Sequence, residues 1–136
     1  MSTSCSNPDD QVKARNDKFM AALNDATDID LVMSFFSPDV SYSDFAFEAV
    51  NMDFTSTRDY MDKMFHAVDD LHLTQVSLTG DKDFTASEWV MTYKLKSSDK
   101  VGEVVKMRGV SLSWYDAQGL IVRNNDYSLK WSGDID

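Results

Sequence analysis

From Leu71 to Trp131 the sequence reads as one strand after another, and that run limits what the chain can fold into. Leu71–Thr79 ends at Gly80-Asp81-Lys82-Asp83, a hairpin signal. Phe84–Lys96 is rich in aromatic and β-branched residues, and Ser97-Ser98-Asp99-Lys100 is a polar turn. Val101–Tyr115 and Leu120–Trp131 flank Asp116-Ala117-Gln118-Gly119, whose glycine can take positive φ. Strands joined by such short turns pair antiparallel. A sheet with an apolar face must then find a cover.

The first half supplies that cover. From Asp9 the pattern is helical, with Val12, Phe19, Met20 and Leu23 mostly on one face. Thr27 or Asp28 can cap a second helix, Ile29–Phe36, which Pro38 closes. Val40–Phe45 and Ala49–Phe54 read as short strands. Ser56 to Asp59 resembles a capping box, with Asp for Glu, and starts a third helix from Thr57 to about Val68. Asp69-Asp70 breaks it. The order α-α-β-β-α-β-β-β-β predicts an α+β fold, its long antiparallel strands curling around helices to leave a cavity at one end.

Size and charge narrow the function. At 136 residues and 43% hydrophobic, residues 9–132 form one domain with a real core, behind a frayed tail at 1–8. Thirteen basic against 23 acidic residues give a net charge of −10. That surface repels phosphate backbones and anionic membranes, so neither nucleic acid nor membrane is an expected partner. No apolar run approaches the ~18 residues of a span, and a cytoplasmic protein is the default expectation. Cys5, the single cysteine, excludes an internal disulfide and a cysteine-based zinc site. Metal and dinucleotide motifs are missing, so no metal and no cofactor is expected.

Three segments carry a resemblance. Asp39-Val40-Ser41-Tyr42-Ser43-Asp44-Phe45-Ala46-Phe47 is similar to the "D-V-x-Y-x-D-P-A-F" phrase of SnoaL-like proteins. Ser87-Glu88-Trp89-Val90-Met91-Thr92 resembles their central strand. Gly119-Leu120-Ile121-Val122-Arg123-Asn124-Asn125-Asp126-Tyr127 resembles their closing strand, "G-K-I-V-x-x-x-D-Y". The resemblance spans roughly Val12–Trp131. It implies the cone-shaped fold of the nuclear transport factor 2-like superfamily, with three N-terminal helices packed on a curved, mostly antiparallel sheet around a pocket. That superfamily holds polyketide cyclases, dehydratases, isomerases, epoxide hydrolases and non-enzymatic scaffolds, and fold does not choose among them.

The resemblance also directs attention to Asp126, where SnoaL-like cyclases carry an acid/base residue projecting into the cavity. A carboxylate in an apolar pocket has a raised pKa, which suits proton shuttling. The alternative is a strand-edge aspartate paired with Arg123 or Arg108. Arg108 alternates with Val110, Leu112 and Trp114 and so shares their face; burial there would need a carboxylate, and Asp126 is the expected partner, the alternative being an exposed arginine on a flipped register. The pair resembles the Arg–Asp arrangement of the superfamily's epoxide hydrolases. Those carry a second aspartate two residues after the arginine, where this chain has Val110, so epoxide hydrolysis is not expected. Tyr42 and Asp44 alternate on the first strand and can complete the site as hydrogen-bond donor and second acid/base.

Trp89, Trp114, Phe19, Met20, Met64, Phe47 and His66 are the expected substrate-pocket residues, with a surface or helix-end position as the alternative for His66. Core packing accounts for most such side chains. Eight methionines and 12% aromatics nevertheless suit a cavity for a hydrophobic ligand. The function so read is a cofactor-independent isomerase or cyclase, moving a proton on a polyketide or terpenoid hybrid. Its alternatives are a dehydratase of the scytalone dehydratase type, with His66 or His72 as acid, and a non-catalytic binding or assembly module. A homodimer through the outer sheet face is also expected, with Glu88, Tyr93, Ser111 and Tyr115 on that face.

Overall fold

The computed structural model describes residues 9–25, 28–96 and 103–133. The tail at 1–8 with Cys5 lies outside these residues, as do Thr27, the turn Ser97–Lys100 and the strand start at Val101. Helix α1 (Asp10–Asp25) leads to α2 (Ile29–Met33), strands β1 (Phe36–Asp44) and β2 (Ala49–Met52), and α3 (Phe54–Ala67). A single 3-10 turn, Phe45–Phe47, joins β1 to β2. Four long strands follow: β3 (Val68–Gly80), β4 (Phe84–Leu95), β5 (Val104–Tyr115) and β6 (Ile121–Lys130). They form one sheet in the order β2-β1-β6-β5-β4-β3. Neighbours are antiparallel except β1 and β6, which run parallel. The class is α+β, as the sequence pattern implies.

The core forms where the helices meet β1 and β6. Ala22, Val32, Met33, Phe36, Val40, Met61, Phe65 and Ile121 are buried there together. Each large apolar side chain so buried contributes about 1.5–3 kcal/mol. Near its C-terminus α1 is also tied to the sheet by Asn24, whose Nδ2 donates to the Leu73 carbonyl at 2.9 Å and whose Oδ1 accepts the Leu73 amide at 2.7 Å. That clamp holds α1 against β3 across the mouth of the curved sheet. No helix among the described residues is long and apolar enough to cross a membrane.

Several boundaries differ from the sequence expectation. Helix α2 ends at Met33, not Phe36, because Phe36 is claimed by the core as the first residue of β1. Pro38 therefore sits inside a strand rather than closing a helix. It falls where the β1–β6 register slips, between Phe36 and Ser41, so its missing N–H leaves no gap in a regular ladder. Helix α3 starts at Phe54, three residues before Thr57. Asp53 is the N-cap, its carboxylate accepting the Ser56 amide at 2.9 Å, and the expected capping box, Ser56 to Asp59, lies inside the helix. Val68, extended at φ −129, ends α3, so Asp69-Asp70 belongs to β3. The turn before β6 holds Gly119 at φ 81, as its position in Asp116–Gly119 suggests.

Candidate active site

Strand β5 reverses the usual alternation. Its apolar residues Val110, Leu112 and Trp114 face away from the helices, with Arg108. Gly109, Ser111 and Ser113 face inward. The reason lies on β6: Ser111 pairs with Asp126 and Ser113 with Asn124, so small hydroxyls meet buried polar groups instead of solvent. Trp89 of β4 pairs with Gly109, and its ring fills the space a side chain would take.

These residues floor a cavity of about 100 Å³. Asn16, Phe19 and Met20 of α1 and Tyr60, Met61 and Met64 of α3 roof it. Tyr42, Asp44, Trp89, Ser111, Asn124 and Asp126 line the sheet side. Phe47, more than half exposed, stands at the rim.

Asp126 is the buried charge at the bottom. Its Oδ1 accepts from Ser111 Oγ at 2.6 Å and from Asn124 Nδ2 at 2.7 Å, and its Oδ2 accepts from the Tyr42 hydroxyl. Asn124 is fixed in turn by Ser113 Oγ, which donates to its Oδ1 at 2.6 Å. Burial pushes the Asp126 carboxyl up to about 6. The three hydrogen bonds oppose that rise, and the charge of Asp44 adds to it. Tyr42 is held protonated, its pKa raised well above normal by burial and by Asp126.

Asp44 sits beside Asp126 in the parallel register of β1 and β6. Its Oδ2 accepts from the Tyr60 hydroxyl at 2.9 Å. Burial raises its pKa, against the Tyr60 hydrogen bond and the nearby Ala46 amide, which favours the charge without closing a well-aligned bond. Asp44 Oδ1 and Asn16 Nδ2 are both buried with no hydrogen-bond partner. The site thus joins a carboxyl group near its titration point, phenolic donors and an apolar roof. Such a set can take a proton from carbon and return it elsewhere.

The structure brings together Asp126, Asp44, Tyr42, Trp89, Phe19, Met20, Met64 and Phe47. Others lie elsewhere, and these expectations are corrected. Arg108 does not pair with Asp126: it stands opposite Leu129 on the outer face, bonds Glu88 at 3.0 Å and lies over the Trp131 ring at 5.2 Å. Sharing a face with Val110, Leu112 and Trp114 placed it outside, because that face is the outer one. Trp114 packs there against Phe84 and lies under Arg123. His66 is 77% exposed on α3 and contacts Asp62, outside the cavity. His72 is also exposed. Of the four residues expected on the outer face, Glu88 is there, but Ser111 and Tyr115 line the cavity and Tyr93 lines an adjoining groove.

The sequence expectation omits Tyr60, Asn124 and Asn16 from the site and sets Ser111 on the outer face. Asn124 precedes Asp126 by two, so strand periodicity placed it on the same face. The serine alternation on β5 was likewise visible. Tyr60 lies on α3, but its hydroxyl partner, Asp44, comes from β1. Among the described residues no three His, Cys, Asp or Glu side chains gather as a metal site.

The family model for the SnoaL-like domain matches residues 17–124. Solved structures share the fold. A SnoaL-like polyketide cyclase from Agrobacterium tumefaciens matches with TM-score 0.72 and 17% identity, over 87% of this chain and 91% of that one. AclR from Streptomyces galilaeus, which carries a provisional hydroxylase assignment, matches with TM-score 0.74 and 20% identity, over 87% and 78%. A nuclear transport factor 2-like protein of unknown function from Exiguobacterium matches with TM-score 0.68 and 19% identity, over 85% and 98%. At these identities the likeness establishes the cone-shaped architecture.

Proposed function

The chain belongs to the SnoaL-like domain family, and from that premise we propose that it is an isomerase or cyclase working by acid–base proton transfer on a hydrophobic secondary metabolite, such as a polyketide or terpenoid hybrid. The single observation carrying this reading is the Asp126 carboxyl, buried in the cavity and pushed up to about 6. A base with that pKa is mostly ionised at pH 7 yet basic enough to accept a proton from an activated carbon. Asp126 takes the proton, and Tyr42 tempers its basicity. Asp44 with Tyr60 stands at a second point on the wall to deliver or accept a proton. The apolar roof excludes water and selects a greasy substrate. The SnoaL-like polyketide cyclase among the structural neighbours is consistent with cyclisation.

A dehydratase with a histidine acid has less support, since His66 and His72 are both exposed. The reading includes a homodimer. Its support is the outer sheet face, where Tyr127 and Leu129 stay exposed beside Val110 and Leu112; sedimentation tests it.

The enzymatic reading is tested with 2-tetralone, a small ketone with activated carbon protons, followed by NMR in D2O. The protein is expected to accelerate α-proton exchange, and Asp126→Asn to reduce that acceleration by about 100-fold or more. A folded Asp126→Asn protein that exchanges as fast as the parent overturns the reading.

A further inference from the structure

The cavity around Asp126 holds about 100 Å³, less than the usual ~300–1,000 Å³ of a small-molecule site. It is not closed. A groove of about 420 Å³ runs from its rim along α3 and β4. Cavity and groove share Phe47, Tyr60, Met64, Leu71 and Met91 as walls, so one molecule can occupy both. The groove is almost wholly apolar, and its own walls include Ala67 and Leu95.

The inner chamber has the opposite character. Asn16, 94% buried by its 6% exposure, carries an Nδ2 with no acceptor, and Asp44 carries an Oδ1 to which the nearby Ala46 amide closes no well-aligned bond. Buried polar groups without well-aligned partners each cost about 1–3 kcal/mol, so two on residues lining one cavity point to a ligand that satisfies them. One ligand oxygen must accept from Asn16, and one ligand hydroxyl must donate to Asp44. Two carboxyl groups line the chamber without a cationic residue among its lining residues, which opposes an anionic head group.

We propose that cavity and groove bind one elongated neutral substrate. Its polar head carries a hydroxyl and a second oxygen inward to Asp44 and Asn16, and its apolar tail lies along the groove between α3 and β4. This rests on the active-site reading only in that the head sits beside Asp126. It names the shape and polarity of the substrate and makes Asn16 a specificity determinant.

The probe is a series of 5-alkylresorcinols with chains from one to nine carbons, titrated by calorimetry at neutral pH. Affinity should rise roughly tenfold for every two methylenes that enter the groove. Ala67→Trp, which fills the groove, should remove that dependence and leave the methyl member's affinity unchanged. Asn16→Leu should weaken every member by about three- to tenfold. If that variant unfolds, Asn16→Asp, which keeps the size but replaces the amide donor, should weaken them as well. No binding at millimolar concentration, affinity independent of chain length, or unchanged affinity in the folded Asn16 variant each overturns the proposal. Calorimetry requires no turnover, so this result and the Asp126→Asn exchange result can fail separately.

Discussion

Asp44 and Asp126 are cross-strand partners in the parallel pairing of β1 with β6, yet each turns to a different tyrosine. Tyr42, two residues before Asp44 on the same strand, reaches Asp126; Tyr60 reaches Asp44 from α3. Both side chains face the cavity, and the negative charge of Asp44 adds to the rise in the Asp126 pKa. The tyrosines keep them apart in role, with one group at the floor and the other nearer the α3 wall.

Two substitutions should move Asp126 in opposite directions. Tyr42→Phe removes a donor that favours the charged form, and should raise the carboxyl pKa by about one pH unit. Asp44→Asn removes a neighbouring negative charge and should lower it. Carbon-13 NMR titration of the aspartate carboxyls, with Asp126 assigned through Asp126→Asn, measures both. Movement in the same direction would show that the two groups do not interact as described.

Stability should depend on pH through Asp126 with a definite sign. Its folded pKa is raised to about 6 from an ordinary 3.8, so the folded state holds the proton more tightly. The contribution is fully present below about pH 4 and is lost as pH rises through about 6. The difference in unfolding free energy, Asp126→Asn minus the parent, should increase by about 2–3 kcal/mol from pH 4 to pH 7. Urea melts at both pH values check it; a flat difference would contradict the raised pKa.

The fold was largely legible, because long alternating strands and an amphipathic helix are local signals. Helix ends were less so. Phe36 looks helical from its neighbours but is taken by the core, and Asp53 caps α3 from a position that reads as the end of a strand. For the site, Asp126, Asp44 and Tyr42 emerged from strand periodicity and the family phrase. Arg108 was misplaced because an apolar strand face normally points inward. On β5 the inward face is polar to serve Asp126, a fact set by the β6 residue opposite and not by β5 itself.

Arg108 therefore belongs to the outer face, and its removal should leave the site alone. Arg108→Met should lower stability by only about 0.5–1 kcal/mol, since the ion pair with Glu88 is partly exposed. The Asp126 titration should be unchanged. A displaced titration would return Arg108 to the site.

Gly109 is the tight point beneath Trp89. A Cβ there would come within 2.6 Å of the Tyr127 carbonyl oxygen and 2.7 Å of the Trp89 ring. Gly109→Ala should destabilise the protein by about 1–3 kcal/mol. It should also alter Trp89 fluorescence, because the ring must shift into the cavity. Denaturant unfolding followed by that fluorescence reads both effects, and a neutral substitution would contradict the packing.

The central claim is that Asp126 moves the proton, and the pH dependence of 2-tetralone exchange tests it most directly. The exchange rate should rise with an apparent pKa near 6, set by the carboxyl at about 6. That dependence should move upward in Tyr42→Phe and vanish with the activity in Asp126→Asn. A rate that is flat across pH 5–8, or that persists in a folded Asp126→Asn protein, would contradict the account.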